Sequence, residues 1–514
     1  MKLDMTATIV FVSLFFFVTI LGFYASRWKQ ADLHSLDEWG LAGRRFGTWI
    51  TWFLLGGDLY TAYTFIAVPA LLFGMGAFGF FGIPYTILIY PLAFMILPRL
   101  WSVSRKHGFV TPADFIRARY NSPLLALAIA VTGILATMPY VALQLVGIEV
   151  VIGGLGIDTS GALGELPLIV AFIILAAYTY TSGLRAPAMI AVVKDLLIYI
   201  TIIAACIIIP MQLGGFGKIF DAVPAQKLLL KAPTETSLNQ FSAYFTLAVG
   251  SALALFLYPH SMTASLSSSS ANTLRKNMML LPAYSVLLGL IALLGYMAIA
   301  SGVKNLPEFA QGFAQYGNNF AIPALFIHSF PSWFVGVAFA AIGIGALVPA
   351  AIMSIAAANL YTRNIHREFI NPSMTPKQET FIAKNISLAV KFGALLFVLF
   401  IPTQYAINLQ LLGGVWIIQV LPAVFIGLYT RWFDHRALLI GWIVGMVIGS
   451  WMAYSVQFKP IYTLVINGYS IPGYSALYAL MVNLLIASII TVAIHLSKVE
   501  ASKDLTVCAD YESD

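Results

Sequence analysis

The chain alternates between long apolar runs and short polar connections. Crossing a bilayer as a helix takes about 20 mostly apolar residues. Thirteen runs meet that need: 6–26, 47–72, 77–98, 124–152, 166–182, 188–209, 240–259, 279–301, 333–359, 385–402, 405–429, 437–456 and 474–496. No connection between them has room for a sizeable soluble domain. The pattern predicts an all-α polytopic membrane protein with 13 transmembrane helices. The first run lacks a small-residue cleavage site and is followed by Arg27, which marks a retained helix rather than a signal peptide.

Composition agrees and closes other routes. Of 514 residues, 60% are hydrophobic and 10% charged, against about 25% charged in soluble domains. That leaves too little polar surface for several soluble domains. Cys206 lies in an apolar run and Cys508 in a polar tail, so no structural disulfide is expected. The net charge of +7 gains its meaning from placement. Connections after the odd-numbered runs hold 20 Lys and Arg, including every arginine, whereas the opposite face holds Lys2, Lys218, Lys227, Lys231, Lys304 and Lys459. Basic residues concentrate on the cytoplasmic side. This places Met1 outside and Asp514 in the cytoplasm, with the chain in the cell inner (plasma) membrane; no nucleic-acid partner is implied.

Five charged groups fall within the runs: Asp58, Glu149, Lys194, Asp195 and Lys391. A charge at the bilayer centre costs about 2.5–3.5 kcal/mol on insertion scales, so such groups face a cavity or a partner. Lys391, near the start of its run, is expected to snorkel inward, and Glu149 to reach the outer interface. Asp58, Lys194 and Asp195 remain as functional candidates. Asp58 follows Gly56 and Gly57, and each glycine weakens a helix by about 1 kcal/mol. The seventh run carries Gly250 and Ser251 in its middle. A broken helix is tolerated in lipid only where it lines a cavity or is buried in protein. Matched interruptions in two halves point to a transporter site built from inverted repeats; close helix packing by small residues is the alternative. Pro139 frees a carbonyl in the fourth run, with Tyr140 and Gln144 beside it on one helix face. In the eleventh run Gln410, Gly413, Gly414, Trp416 and Gln419 either hydrogen-bond a solute or bridge helices. Ser267–Ser270 reads as a loop on the basic side.

The chain has no phosphate-cradling Gly-rich loop to use ATP, no Cys/His metal cluster and no nucleophile–base pair. The expectation is a non-enzyme without cofactor or metal.

Three stretches carry a family likeness. Glu38–Gly47, then Tyr180–Ala186 with Lys194 and Asp195 beyond it, and Asn359–Glu368 resemble the motifs of the sodium/solute symporter family. The likeness covers nearly the whole chain. Gly47–Phe53, Thr137–Gln144 and Gly345–Ala350 resemble its bacterial monocarboxylate permease branch, which takes up lactate, pyruvate and similar acids. The resemblance implies a leucine-transporter-like fold: a leading helix and loop (1–46), two inverted five-helix repeats (47–209 and 240–429), two trailing helices (437–496) and a tail (497–514). It places both broken helices at the substrate site. Gly56, Gly57, Asp58, Tyr60, Thr61, Tyr140, Gln144, Gly250 and Ser251 are then the expected substrate-binding residues, with half-helix N-termini receiving the carboxylate.

One departure bears on coupling. Sodium-coupled members place two adjacent hydroxyl residues in the ninth span, where this chain has Val348 and Pro349; Ser354 is nearby but out of register. The usual Thr before the Asp is Lys194. Sodium takes oxygen ligands, and an ammonium repels it. Lys194 and Asp195 are therefore the expected ion-coupling pair, with Lys194 facing the vacated sodium position. The resulting expectation is a secondary transporter importing lactate, pyruvate, acetate or similar acids, coupled to H+ or independent of sodium. The alternative is a Na+-coupled symporter of an amino acid, sugar or vitamin. A sensor is disfavoured by the short tail, and a channel by midplane breaks without a charged pore.

Overall fold

Inside a membrane an apolar run must satisfy its backbone internally, and helices do so at every such run in the computed structural model. Residues 3–28, 34–61, 63–157, 166–400, 406–499 and 502–512 are described; the expectations for Met1 and Asp514 lie outside them. The main helices are α1 Met5–Tyr24, α2 Leu36–Leu41, α3 Thr48–Leu59, α4 Val68–Met75, α5 Gly82–His107, α6 Pro112–Tyr120, α7 Pro123–Gly154, α8 Leu166–Ser182 and α9 Arg185–Leu213. After a loop come α10 Asn239–Leu255, α11 Pro259–Leu266, α12 Ala271–Leu280, α13 Pro282–Ala300, α14 Ser332–Tyr361, α15 Pro376–Phe400, α16 Ala406–Ile417, α17 His435–Ser455 and α18 Ser475–Leu496. Among the described residues nine helical stretches are long and apolar enough to cross a membrane, ten if the pair α10–α11, bent by 45°, counts as one. Three of the thirteen expected runs are discontinuous: α3 gives way to α4, α10 to α11, and α16 to short turns that end at Leu428.

Local chemistry sets the turns on the basic face. Gly108 closes α5 in the left-handed conformation. Thr111 and Asp114 cap α6 reciprocally. Ser122 then caps α7 ahead of Pro123. At the centre, α14 is buried along nearly its whole length. Its small residues permit close approach: Gly336 and Gly343 meet α1, and Gly345 meets Ile198 of α9.

Two of the expected charge placements are corrected. The helix carrying Lys391 starts at Pro376, not near 385. The side chain of Lys391 does not reach solvent. It is buried, and its ammonium donates to Ser387 Oγ (2.8 Å), which contacts Ser354 Oγ (3.3 Å). Glu149 is also buried, because α7 continues beyond it to Gly154. Ser267–Ser270 lie between α11 and α12, as a loop that is pinned in place. Ser267 and Ser268 are buried; the Ser267 carbonyl accepts from the Phe46 amide (3.2 Å) and the Ser268 carbonyl from the Trp101 indole (2.9 Å).

The three stretches of family likeness converge on the basic face. The Leu184 amide donates to the Trp39 carbonyl (2.9 Å), the Trp39 indole donates to the Tyr180 carbonyl (3.3 Å), and Arg185 pairs with Glu38. Gly183 is required there: its φ is +57°, and a Cβ would collide with the Trp39 carbonyl. Asn359 lies against Gly40.

On the opposite face Ile461–Ile466 (β1) and Tyr469–Tyr474 (β2) form an antiparallel hairpin. Its last residue, Tyr474, is buried; its hydroxyl donates to the Leu411 carbonyl of α16 (2.6 Å), and its ring lies against Gly250 of α10.

The tail 502–512 straps the basic face. Asp504 pairs with Arg119 and with Arg431 (3.1 Å), and Asp510 with Lys106 (3.2 Å) and His107 (2.8 Å). Burial alone would raise the Asp510 carboxyl. Hydrogen bonds from the Val507 amide, His107 and Lys106 outweigh it and pull it down to about 2. A depressed carboxyl adds stability that is present above its unfolded value of about 3.9 and is lost only as pH falls through the folded one. Asp510 should therefore keep the strap docked without change from pH 8 to pH 5. Asp510→Asn should release it: proteolysis at Lys503 should accelerate about fivefold, from about 1 kcal/mol of lost charge-assisted bonding. Equal cleavage rates in both proteins would contradict this.

Candidate functional site

The site follows from where two helices stop. Gly56 and Gly57 do not themselves break the second span, because α3 runs through them to Leu59 and the chain leaves helical geometry at Tyr60 (φ −90°, ψ 84°). The two glycines are contact residues instead. A Cβ on Gly56 would overlap the Tyr284 ring, and one on Gly57 would stand 2.8 Å from Lys194 Nζ. Gly250 and Ser251 likewise lie inside α10; the interruption comes at Phe256–Tyr258, before Pro259 starts α11. Packing by small residues thus explains Gly56, Gly57 and Gly250, while the breaks fall a few residues later. Pro259 was the legible signal, since proline favours the first position of a helix.

Helix ends in a membrane leave backbone groups without partners. Lys194, on α9, meets those of α3. Its ammonium donates to the carbonyls of Gly57 (2.8 Å) and Tyr60 (3.3 Å) and pairs with Asp195 (2.9 Å). Asp195 also accepts from the Tyr284 hydroxyl of α13 (2.6 Å). The Tyr60 hydroxyl donates to the Tyr284 carbonyl (2.5 Å), closing a ring through α3, α9 and α13. Adjacent helical residues point about 100° apart, yet the Lys194 ammonium and the Asp195 carboxylate meet. Lys194 thus reaches the break of the second span. Gly345 of α14 lies against Ile198, one turn along α9 from Lys194.

Asp58 takes another direction. Its carboxylate accepts from Ser261 Oγ (2.6 Å) and stands 3.6 Å from His260 Nε2, both in the first turn of α11. The half-helix N-terminus expected to await a substrate carboxylate thus already holds one from the chain. Tyr140 stacks edge-on to Tyr258 and His260, with ring centres 5.3 and 5.2 Å apart. Gln144 donates to the Tyr140 carbonyl (3.2 Å), and Thr61 pairs with the Tyr140 hydroxyl. Asp58, Tyr60, Thr61, Tyr140, Gln144, Lys194 and Asp195 are all at most 4% exposed. The structure therefore joins seven of the expected residues in one sealed polar core. It separates Gly250 from them, against Tyr474. His260, Ser261 and Tyr284 were missed in the sequence; nothing local distinguishes Tyr284 from other span tyrosines. Beside Tyr60 and Tyr284 a cavity of about 10 Å³ remains, room for one water at most.

Two interrupted helices meeting at a sealed polar core in a multi-pass bundle define a secondary transporter. The chain belongs to the sodium:solute symporter family, which matches residues 39–447. It is similar to a monocarboxylate transport permease protein of Rhizobium johnstonii, 50% identical across 94% of this chain and 96% of that one. It is also 34% identical to an uncharacterised symporter of Bacillus subtilis over 89% of each chain. A solved Na+-coupled sialic acid symporter, captured substrate-bound and outward-open, shares the fold: TM-score 0.79 and 16% identity, covering 98% of this chain and 99% of that one.

The ring can be tested without transport. Lys194→Met leaves Asp195 as an uncompensated buried charge and should lose about 3–5 kcal/mol, read as a lowered Tm of the detergent-purified protein. Lys194→Met combined with Asp195→Asn should recover most of the loss. A double variant as unstable as the single one would show that charge pairing is not what holds the ring.

Proposed function

We propose that this protein imports small monocarboxylates such as lactate, pyruvate or acetate, coupled to protons rather than sodium. The observation that carries the proposal is the Lys194 ammonium on the carbonyls of Gly57 and Tyr60. Those oxygens are ligands a sodium ion would need, and the amine already occupies them. In the ninth span Val348 and Pro349 offer no side-chain oxygen where sodium-coupled members of the family place two hydroxyls. Protonated, Lys194 locks the break of the second span to α9; deprotonated, it releases the carbonyls and favours the other access state.

Asp58 supports the same reading. A substrate carboxylate drawn to α11 meets Asp58 at the same donors. Like charges sharing a site disfavour ionisation of both, so the acid enters with a proton. The name of the Rhizobium relative adds support for the substrate class. The matched breaks of α3–α4 and α10–α11 support 13 spans with inverted repeats at 47–209 and 240–429. The Lys and Arg bias supports an external N-terminus and a cytoplasmic C-terminus in the plasma membrane.

Proteoliposomes test this directly. Labelled lactate or pyruvate should accumulate under an inward proton gradient, compete with acetate and ignore glucose. Replacing sodium with choline at constant pH should leave the rate unchanged. Lys194→Met should abolish gradient-driven uptake but leave exchange, and Asp58→Asn should impair uptake. Collapse of uptake in choline would restore sodium coupling and overturn the proposal.

A further inference from the structure

The face opposite the basic one is poor in cations, yet two of its six lysines converge. Lys227 sits in the loop between α9 and α10, and Lys304 in the turn after α13. Both ammonium groups approach the ring of Phe73 near the outer end of α4, with centroids 5.9 and 6.0 Å away. They line one cavity of about 290 Å³ together with Asn305 and Asn318. Among the described residues neither lysine forms an ion pair.

Lys227 is held rather than waving. Its ammonium donates to the Phe73 carbonyl (2.6 Å), and its own carbonyl accepts from the Tyr296 hydroxyl (2.6 Å). Its backbone lies so close to Gly76, at φ +69°, that a Cβ there would collide. Partial burial and the neighbouring Lys304 both press on Lys227 to give up its proton, burial more strongly. A pair of like charges, one of them held in place, with the side-chain amides of Asn305 and Asn318 in the same lining is a poor arrangement for an empty surface. It becomes a good one when a carboxylate sits between the two ammonium groups.

We infer that this cavity is an outer capture site for carboxylate solutes, gathering the substrate above the sealed core. The ligand class rests on the monocarboxylate reading of the central site. The cavity holds several water volumes, at about 30 Å³ each, enough for a solute of half a dozen heavy atoms. It lies against Phe73 and Gly74 at the outer end of α4. Raising the local concentration of an anion accelerates its encounter and makes uptake dependent on ionic strength.

A thiol reporter reads occupancy directly. Asn305→Cys is made in a Cys206→Ala/Cys508→Ala background, since these are the two free cysteines, and both lysines stay in place. In proteoliposomes an anionic methanethiosulfonate should label the reporter. Lactate should slow labelling at least about threefold compared with equimolar choline chloride, a small part of the steering range. Adding Lys227→Gln and Lys304→Gln should abolish that protection. The same pair of substitutions in the wild-type background should raise KM for lactate at low salt with kcat unchanged. Protection by chloride equal to that by lactate, or protection that survives loss of both lysines, would overturn the site. Lactate uptake without protection would sink only the capture site; protection without uptake would sink only the importer reading.

Discussion

A single ammonium group makes the interrupted second span possible. Stopping α3 at Leu59 strands carbonyls where no water reaches them, and each stranded group costs several kcal/mol in hydrocarbon. Lys194 answers two of them, at Gly57 and Tyr60. That answer creates a new demand, because a buried cation needs a counter-charge, and Asp195 supplies it. Asp195 in turn needs a donor, which Tyr284 provides, and Tyr60 ties the Tyr284 backbone to the break. Each element of the ring exists to satisfy the one before it.

The ring also explains the glycines around it. Tyr284 reaches α3 only because residue 56 has no side chain, and Lys194 reaches the carbonyl of Gly57 only because residue 57 has none. Close packing and helix interruption, which read as rival explanations of Gly56 and Gly57, act together. The small residues admit the groups that stabilise a break lying just beyond them.

What the chain disclosed in advance follows from the range of each interaction. The spans, the basic face and the isolation of Lys194 and Asp195 are local facts, visible as runs or as single charges in apolar surroundings. The breaks were misplaced because a glycine costs a helix only about 1 kcal/mol, too little to stop one held by neighbours. Lys391 was misjudged because the Ser387–Ser354 contact beside it joins α15 to α14, a partner on another helix. The pairing of Asp58 with Ser261 spans 203 positions and that of Tyr60 with Tyr284 spans 224; no periodicity encodes such partners. The likeness-bearing stretches likewise serve a purpose hidden in their order. Glu38–Gly47, Tyr180–Ala186 and Asn359 bolt α2, α9 and the end of α14 together on the basic face, while Lys194 and Asp195 beyond them enter the polar core.

The hairpin at 461–474 carries a different lesson. Tyr474 enters the bundle like a dowel, seated between Gly250 and Gly414, with its hydroxyl anchored on Leu411. The segment from α17 to α18 is therefore not an accessory appended to a finished machine. Its peg fills a slot cut into α10 and α16, so those two helices carry a groove that makes sense only with the hairpin in it. A shorter descendant ending after Leu428 would inherit that slot as a hole the size of a phenol ring. It would have to refill two glycine positions with bulk before the remaining helices could close.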